Sequence, residues 1–100
     1  MIVKDITIPE DQIAEFCTRH SVKTLSLFGS ILGDDFGPTS DVDVLVEFFP
    51  GKTPGMFGFS GMMLELSEML GRRVDLRTPN DLSRYFRADV MKQARTLHAA

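Results

Sequence analysis

The chain has 100 residues, of which 43% are hydrophobic and 25% are charged, with a net charge of −3. These values describe one ordinary globular domain. We see no apolar run long enough to span a bilayer and no signal-peptide pattern at the N-terminus, so no membrane association is expected. One cysteine cannot make an internal disulfide, and a reduced, cytoplasmic setting fits best. The acidic balance argues against stable, non-specific binding of nucleic acid.

The charge is unevenly distributed. Residues 1–71 contain 4 Lys and Arg against 11 Asp and Glu, whereas residues 72–100 contain 7 against 3. A basic C-terminal region suits phosphates or an acidic protein partner, and we expect such a partner to be engaged partly through this region. A solvated basic helix face explains the same pattern.

The first half of the chain predicts alternating helices and strands. Pro9 suits a first helical position, and apolar residues at helical spacing predict a helix over 9–20. Residues 22–28 are apolar and β-branched, which predicts a strand near the centre of the sheet. Gly29-Ser30 ends this strand and opens a short helix, and Gly37-Pro38 marks a loop over 34–39. Residues 41–48 (DVDVLVEF) predict a second strand.

The second half predicts a helix, a strand and a final helix. One apolar face runs from Phe59 to Leu70, and Gly71 is placed as its C-cap. Residues 73–77 (RVDLR) predict a third strand. A last helical stretch is predicted from Thr78-Pro79, with His98 in a frayed terminus. Its expected buried side comprises Tyr85, Phe86, Val90, Ala94 and Leu97. The predicted fold is a single α/β (α+β) domain over residues 1–100, a small mixed sheet covered by helices.

The residues that carry chemistry are Gly29-Ser30 and, ten residues later, Asp41-Val42-Asp43. Gly29 lets the backbone turn sharply beside a ligand, and Ser30 opens a helix whose N–H and hydroxyl can meet phosphate oxygens. Asp41 and Asp43 lie two apart on a strand and share a face, where like charges repel unless a cation lies between them. Mg²⁺ prefers carboxylate and phosphate oxygens and rarely takes a full protein cage.

Asp75 is the third candidate carboxylate. Its neighbours Val74 and Leu76 are predicted to point into the core, so Asp75 faces the other way. If the third strand pairs beside the second, Asp75 joins Asp41 and Asp43, where it could bind the metal and accept a proton. Each feature alone also fits a plain turn, a solvated strand edge or a surface aspartate. Their combination favours a functional site.

These residues resemble a known signature. The run from Gly29-Ser30 to Asp41-Val42-Asp43 is similar to that of the DNA polymerase β-like nucleotidyltransferase superfamily, and in particular its MNT-type minimal members, the antitoxins of HEPN/MNT toxin–antitoxin pairs. The resemblance extends over residues 25–30, 34–48 and 71–90. It implies the polymerase β-like fold, ATP as substrate, one or two Mg²⁺ ions, and transfer of AMP to a tyrosine of a partner HEPN RNase toxin. It also implies that Asp41, Asp43 and Asp75 bind the metal.

One departure from this family bears on activity. Many relatives carry an arginine just after Gly-Ser, near the phosphates, whereas residues 31–34 here (ILGD) contain no basic residue. We expect Arg72, Arg73, Arg77 or a partner's arginine to compensate. The alternative function is a binding-only antitoxin that neutralises the toxin by forming a complex with it. Nucleotide transfer to RNA or a small molecule would need a further domain.

Overall fold

Three helices and six strands make up the computed structural model, which describes all 100 residues. The helices are α1 (Glu10–Arg19), α2 (Met56–Leu70) and α3 (Arg87–Gln93). The strands are β1 (Ile2–Val3), β2 (Ile6–Thr7), β3 (Val22–Phe28), β4 (Val42–Phe48), β5 (Val74–Arg77) and β6 (Arg95–Ala99). Short 3₁₀ turns span Gly29–Leu32 and Pro79–Asp81.

Four strands form one mixed sheet in the order β5-β4-β3-β6, and β1 and β2 form a separate hairpin. β3 is antiparallel to both of its neighbours. β4 and β5 are parallel, because helix α2 carries the chain back to the same end of the sheet. This parallel register pairs Asp43 with Asp75. The predicted mixed sheet with covering helices is therefore confirmed.

The hydrophobic core joins the sheet to α1 and α2. Alternate residues of β4, Val42, Val44 and Val46, are fully buried. They belong to one cluster with residues of both helices, namely Ile13, Phe16, Cys17, Met62, Leu66 and Leu70. At the end of α2, Gly71 has φ +68°, in the left-handed region that favours glycine, which confirms the predicted cap. An ion pair between Arg19 and Glu65 also links α1 to α2. No helix combines the length and hydropathy needed to cross a membrane.

Both ends of the chain differ from the sequence prediction. The hairpin of β1 and β2 was missed, because its strands have only two residues each. The final helix is confined to residues 87–93, and the chain then becomes β6, so the prediction of a helical C-terminus was wrong. His98 pairs with Leu25 of β3 rather than fraying. Tyr85 and Phe86 were expected to be buried but are 76% and 64% exposed.

Candidate functional site

The turn after β3 places a glycine directly against a carboxylate. Gly29 has φ +75°, and a Cβ atom there would collide with Oδ2 of Asp43 and lie 3.1 Å from its Cγ. Only glycine therefore fits both the backbone and the space. Ser30 follows in the 3₁₀ turn Gly29–Leu32, and its backbone N–H interacts with the Asp43 carboxylate. The predicted turn and the predicted aspartate thus lie side by side.

Asp43 lies at the centre of the candidate site, since its neighbours on the adjacent strands are Phe28 of β3 and Asp75 of β5. Burial raises the pKa of the Asp43 carboxyl above its ordinary value. The negative charges of Asp75 and Asp41 raise it as well, while the backbone N–H of Ser30 and the charge of Arg77 lower it. The three predicted carboxylates therefore interact, and the ionised form of Asp43 is disfavoured.

Asp75 is held by an arginine on its own strand. Arg77 donates from Nε to Oδ1 at 3.1 Å and from Nη2 to Oδ2 at 3.3 Å. The two residues lie two apart on β5, so their side chains share a face of the sheet. Arg77 was one of the arginines expected to compensate near the phosphates. It lies on β5 with Asp75, two strands away from β3, which leads to Gly29.

Arg72 has a structural role that the sequence did not suggest. Its Nη2 donates to the carbonyl oxygens of Gly37 and Ser40 at 2.8 and 2.7 Å, and its guanidinium carbon lies 4.8 Å from the centre of the Phe36 ring. Because β4 and β5 are parallel, the residues that precede them lie together, and Arg72 uses this to fix the loop leading to Asp41. Arg72 therefore binds the loop before β4 and is not free to bind a phosphate.

The donor chemistry of this site suits a divalent cation. Burial and the neighbouring negative charges raise the pKa of the Asp43 carboxyl, and a cation nearby would favour its ionised form. Carboxylates together with phosphate oxygens form a normal Mg²⁺ environment. The structure does not gather three acidic or other metal-ligating side chains into one compact group. Asp75 is directed to Arg77 instead. The residues present therefore fit a metal held jointly by protein and nucleotide better than a closed protein cage.

Comparison with known proteins agrees with this arrangement. The nucleotidyltransferase domain family matches residues 10–97 of the chain. A protein of Methanocaldococcus jannaschii, described as a "Putative protein adenylyltransferase", is 34% identical over 83 residues, covering 83% of this chain and 87% of that protein. The chain therefore belongs to the nucleotidyltransferase domain family and is a nucleotidyltransferase enzyme.

Solved structures place it in the minimal, MNT-type branch by fold. A "putative minimal nucleotidyltransferase" matches with a TM-score of 0.70 and 29% identity, over 85% of each chain. A toxin–antitoxin crystal structure with AMP-PNP matches with a TM-score of 0.72 and 21% identity, over 92% of this chain and 74% of that one. The structure of a tri-AMPylated Shewanella oneidensis HEPN toxin in complex with an MNT antitoxin matches with a TM-score of 0.64 and 20% identity, over 91% of this chain and 70% of that one. The predicted polymerase β-like minimal fold is confirmed.

Proposed function

We propose that this chain is an antitoxin that transfers AMP from ATP to a tyrosine of a partner HEPN RNase toxin and thereby neutralises it. The observation that carries the proposal is the position of Asp43, which touches the Gly29-Ser30 turn on one side and neighbours Asp75 on the other. This arrangement puts a phosphate-binding turn beside a row of carboxylates. A structure that contains an MNT antitoxin of the same fold holds an AMPylated HEPN toxin, which supports a HEPN toxin as the acceptor protein. The choice of a tyrosine rests on the family resemblance.

The residues divide the reaction between them. The turn at Gly29 and Ser30 binds the β- and γ-phosphates through backbone N–H groups. Asp41 and Asp43, with Asp75, would hold one or two Mg²⁺ ions, whose charge offsets that of the triphosphate. The tyrosine oxygen forms a bond to the α-phosphorus, the bond from that phosphorus to the bridging oxygen of the β-phosphate breaks, and pyrophosphate leaves. Asp75 accepts the phenolic proton, which matters because a phenol with a pKa near 10 is a poor nucleophile at neutral pH.

The test of this proposal uses ATP labelled at the α-phosphate, Mg²⁺ and the protein encoded beside this chain. We expect label on the partner, mapped by mass spectrometry to a tyrosine. Asp41→Asn should fail in MgATP binding, whereas Asp75→Asn should bind MgATP and transfer about 10²–10⁴-fold more slowly. Asp35→Asn, the same change on an exposed loop residue, is the control and should behave as the wild type. Absence of label with a folded, complex-forming wild-type chain would contradict the proposal.

A binding-only antitoxin is the second candidate, and two observations favour it. Residues 31–34 contain no basic side chain, and Arg72 is engaged by loop carbonyls instead of lying free for phosphates. If Asp41→Asn with Asp43→Asn still neutralises the toxin in cells at wild-type protein levels, the chemistry is dispensable and binding alone suffices. Loss of neutralisation with an intact complex would support the enzyme.

The partner surface is proposed to include the basic C-terminal region. Arg84 is exposed and stacks over Tyr85, with its guanidinium carbon 5.1 Å from the ring centre. Arg87 donates to the carbonyl oxygens of Pro79 and Leu82, so it serves the fold and is unsuitable for a charge-reversal test. Arg84→Glu with Arg95→Glu should slow association with the toxin, and added salt should have the same effect on the wild type. If the affinity and its dependence on salt do not change, Arg84 and Arg95 belong to a solvated surface and not to the interface with the toxin.

A further inference from the structure

The ion pair between Arg77 and Asp75 engages the whole carboxylate. Two nitrogen atoms of the guanidinium contact the two oxygens of Asp75, at 3.1 and 3.3 Å. A fork of this kind is specific to arginine, because its donors are planar and fixed, whereas a lysine presents one point charge. Both oxygens that a cation would need are therefore directed to Arg77.

No other arginine forms a hydrogen bond with a carboxylate of the candidate site. Arg72 binds the carbonyls of the loop before β4, and Arg87 binds those of Pro79 and Leu82. Arg77 also acts electrostatically on Asp43, the residue opposite Asp75 on β4. The positive charge that this protein lacks after Gly29-Ser30 is thus present on β5, beside the third carboxylate.

We propose that Arg77 is a positioning residue that competes with a divalent cation for Asp75. The inference rests on the proposed metal site of Asp41, Asp43 and Asp75. When Arg77 holds Asp75, the third carboxylate is charge-balanced and both of its oxygens are hydrogen-bonded. When a cation binds Asp75, the guanidinium is displaced. The side chains of Arg77 and Asp75 are 47% and 38% exposed. A pair this open to water is weak enough to break during each catalytic cycle.

The test measures Mn²⁺ binding by calorimetry without nucleotide, so that its readout is independent of activity. Arg77→Gln should bind Mn²⁺ about fivefold more tightly than the wild type, a factor that corresponds to the upper end for an exposed ion pair, about 1 kcal/mol. Arg77→Lys, which keeps the charge but loses the fork, should lie between the two. The gain from Arg77→Gln should shrink by at least about half in an Asp75→Asn background, since the competition is for Asp75.

Arg19→Gln is the matched control. Arg19 also donates two hydrogen bonds to one carboxylate, that of Glu65, but the pair links α1 to α2. This change removes the same charge and the same kind of bond, and it should leave the Mn²⁺ affinity unchanged. Equal or weaker Mn²⁺ binding by Arg77→Gln would overturn the inference. An equal gain from Arg19→Gln would also overturn it, since the effect would then be one of net charge.

Asp43→Asn separates the failure of this inference from that of the proposed site. If the wild type binds Mn²⁺ and Asp43→Asn does not, the site stands, and an unchanged affinity of Arg77→Gln then rejects Arg77 alone. If the wild type does not bind Mn²⁺ without nucleotide, the role of Arg77 is rejected, and the site itself is then judged by the loss of MgATP binding in Asp43→Asn. If Asp43→Asn binds Mn²⁺ as well as the wild type does, both the site and the role of Arg77 are rejected. Thermal unfolding of each variant confirms that the titrated protein is folded.

Discussion

Strand β4 meets two different environments on its two faces. Val42, Val44 and Val46 are fully buried in the core that α1 and α2 share with the sheet. On the other face, Leu45 is buried, but Asp43 and Glu47 on either side of it are only half-buried. Thr24 on the neighbouring strand donates a hydrogen bond to Glu47 at 2.8 Å, whereas Asp43 lies among other carboxylates. One stretch of seven residues thus both anchors the fold and contains a carboxylate of the proposed active site.

The contrast shows that different interactions determine which residues suit the two faces. On the covered face, burial of apolar surface stabilises the fold, and an apolar residue of similar volume is tolerated at these positions. The open face holds like charges together against their repulsion, which stabilises nothing unless a ligand arrives. Substitutions on the two faces should therefore separate activity from stability.

The largest effect should come from Asp43→Asn on the open face. Losing this carboxylate removes charge stabilisation worth several kcal/mol, so we expect AMP transfer to slow by at least about a hundredfold. Glu47→Gln makes the same chemical change on the same strand and face, four residues along, and should leave the initial rate within about twofold. The measurement is the initial rate with ATP labelled at the α-phosphate. Similar rates for the two variants would contradict the division of roles along β4.

On the covered side, Leu66→Ala should lower the free energy of unfolding by about 2–5 kcal/mol, because it leaves a cavity under the sheet. The transfer rate per folded molecule should not change. Leu64→Ala is the control on the same helix, since Leu64 is 64% exposed and should cost less than about 0.5 kcal/mol. Urea unfolding at equilibrium measures both. Equal losses would mean that α2 is packed differently from the structure.

Two glycines with the same backbone sharpen the comparison further. Gly29 and Gly71 both have φ near +70°, but an added Cβ at Gly71 meets nothing within 4 Å. Each change to alanine should cost about 1–2 kcal/mol for the left-handed conformation. Only Gly29→Ala should also displace Asp43 and abolish MgATP binding in calorimetry. Retained MgATP binding by Gly29→Ala would show that the close approach to Asp43 is dispensable.

The smallest effect concerns stability without metal. Because the pKa of Asp43 is raised in the folded protein, its ionised form opposes folding at neutral pH. Asp43→Asn should therefore raise the urea midpoint near pH 7. This advantage should disappear as the pH falls through the raised pKa towards the ordinary aspartate value of about 3.9, because the wild-type carboxyl is then protonated as well. A destabilised variant near pH 7 would instead indicate a structural role for this carboxylate.

Sequence reasoning recovered the features that are encoded locally. Apolar periodicity predicted α1, α2 and the strands β3, β4 and β5, and the pattern from Gly29 to Asp43 predicted that these two residues would meet. The pairing of Asp75 with Asp43 required the parallel register of β4 and β5, which no local pattern encodes. The C-terminal error has the same cause. Tyr85 to Leu97 is spaced like a helix, but the chain leaves the helical conformation at Ala94 to form hydrogen bonds with the distant edge of β3.

The contacts of Arg72 have a consequence for how the molecule opens. By binding the carbonyls of Gly37 and Ser40, this side chain ties the loop before Asp41 to the segment before Asp75. Within the loop, Ser40 donates its amide to Gly37 at 3.2 Å, and Gly37 donates its amide to the Ser40 hydroxyl at 2.9 Å. Both amides are thus protected from exchange with solvent deuterium by a turn that one arginine closes. Local unfolding of this turn would expose both amides together, so their exchange rates report how often the loop before Asp41 opens.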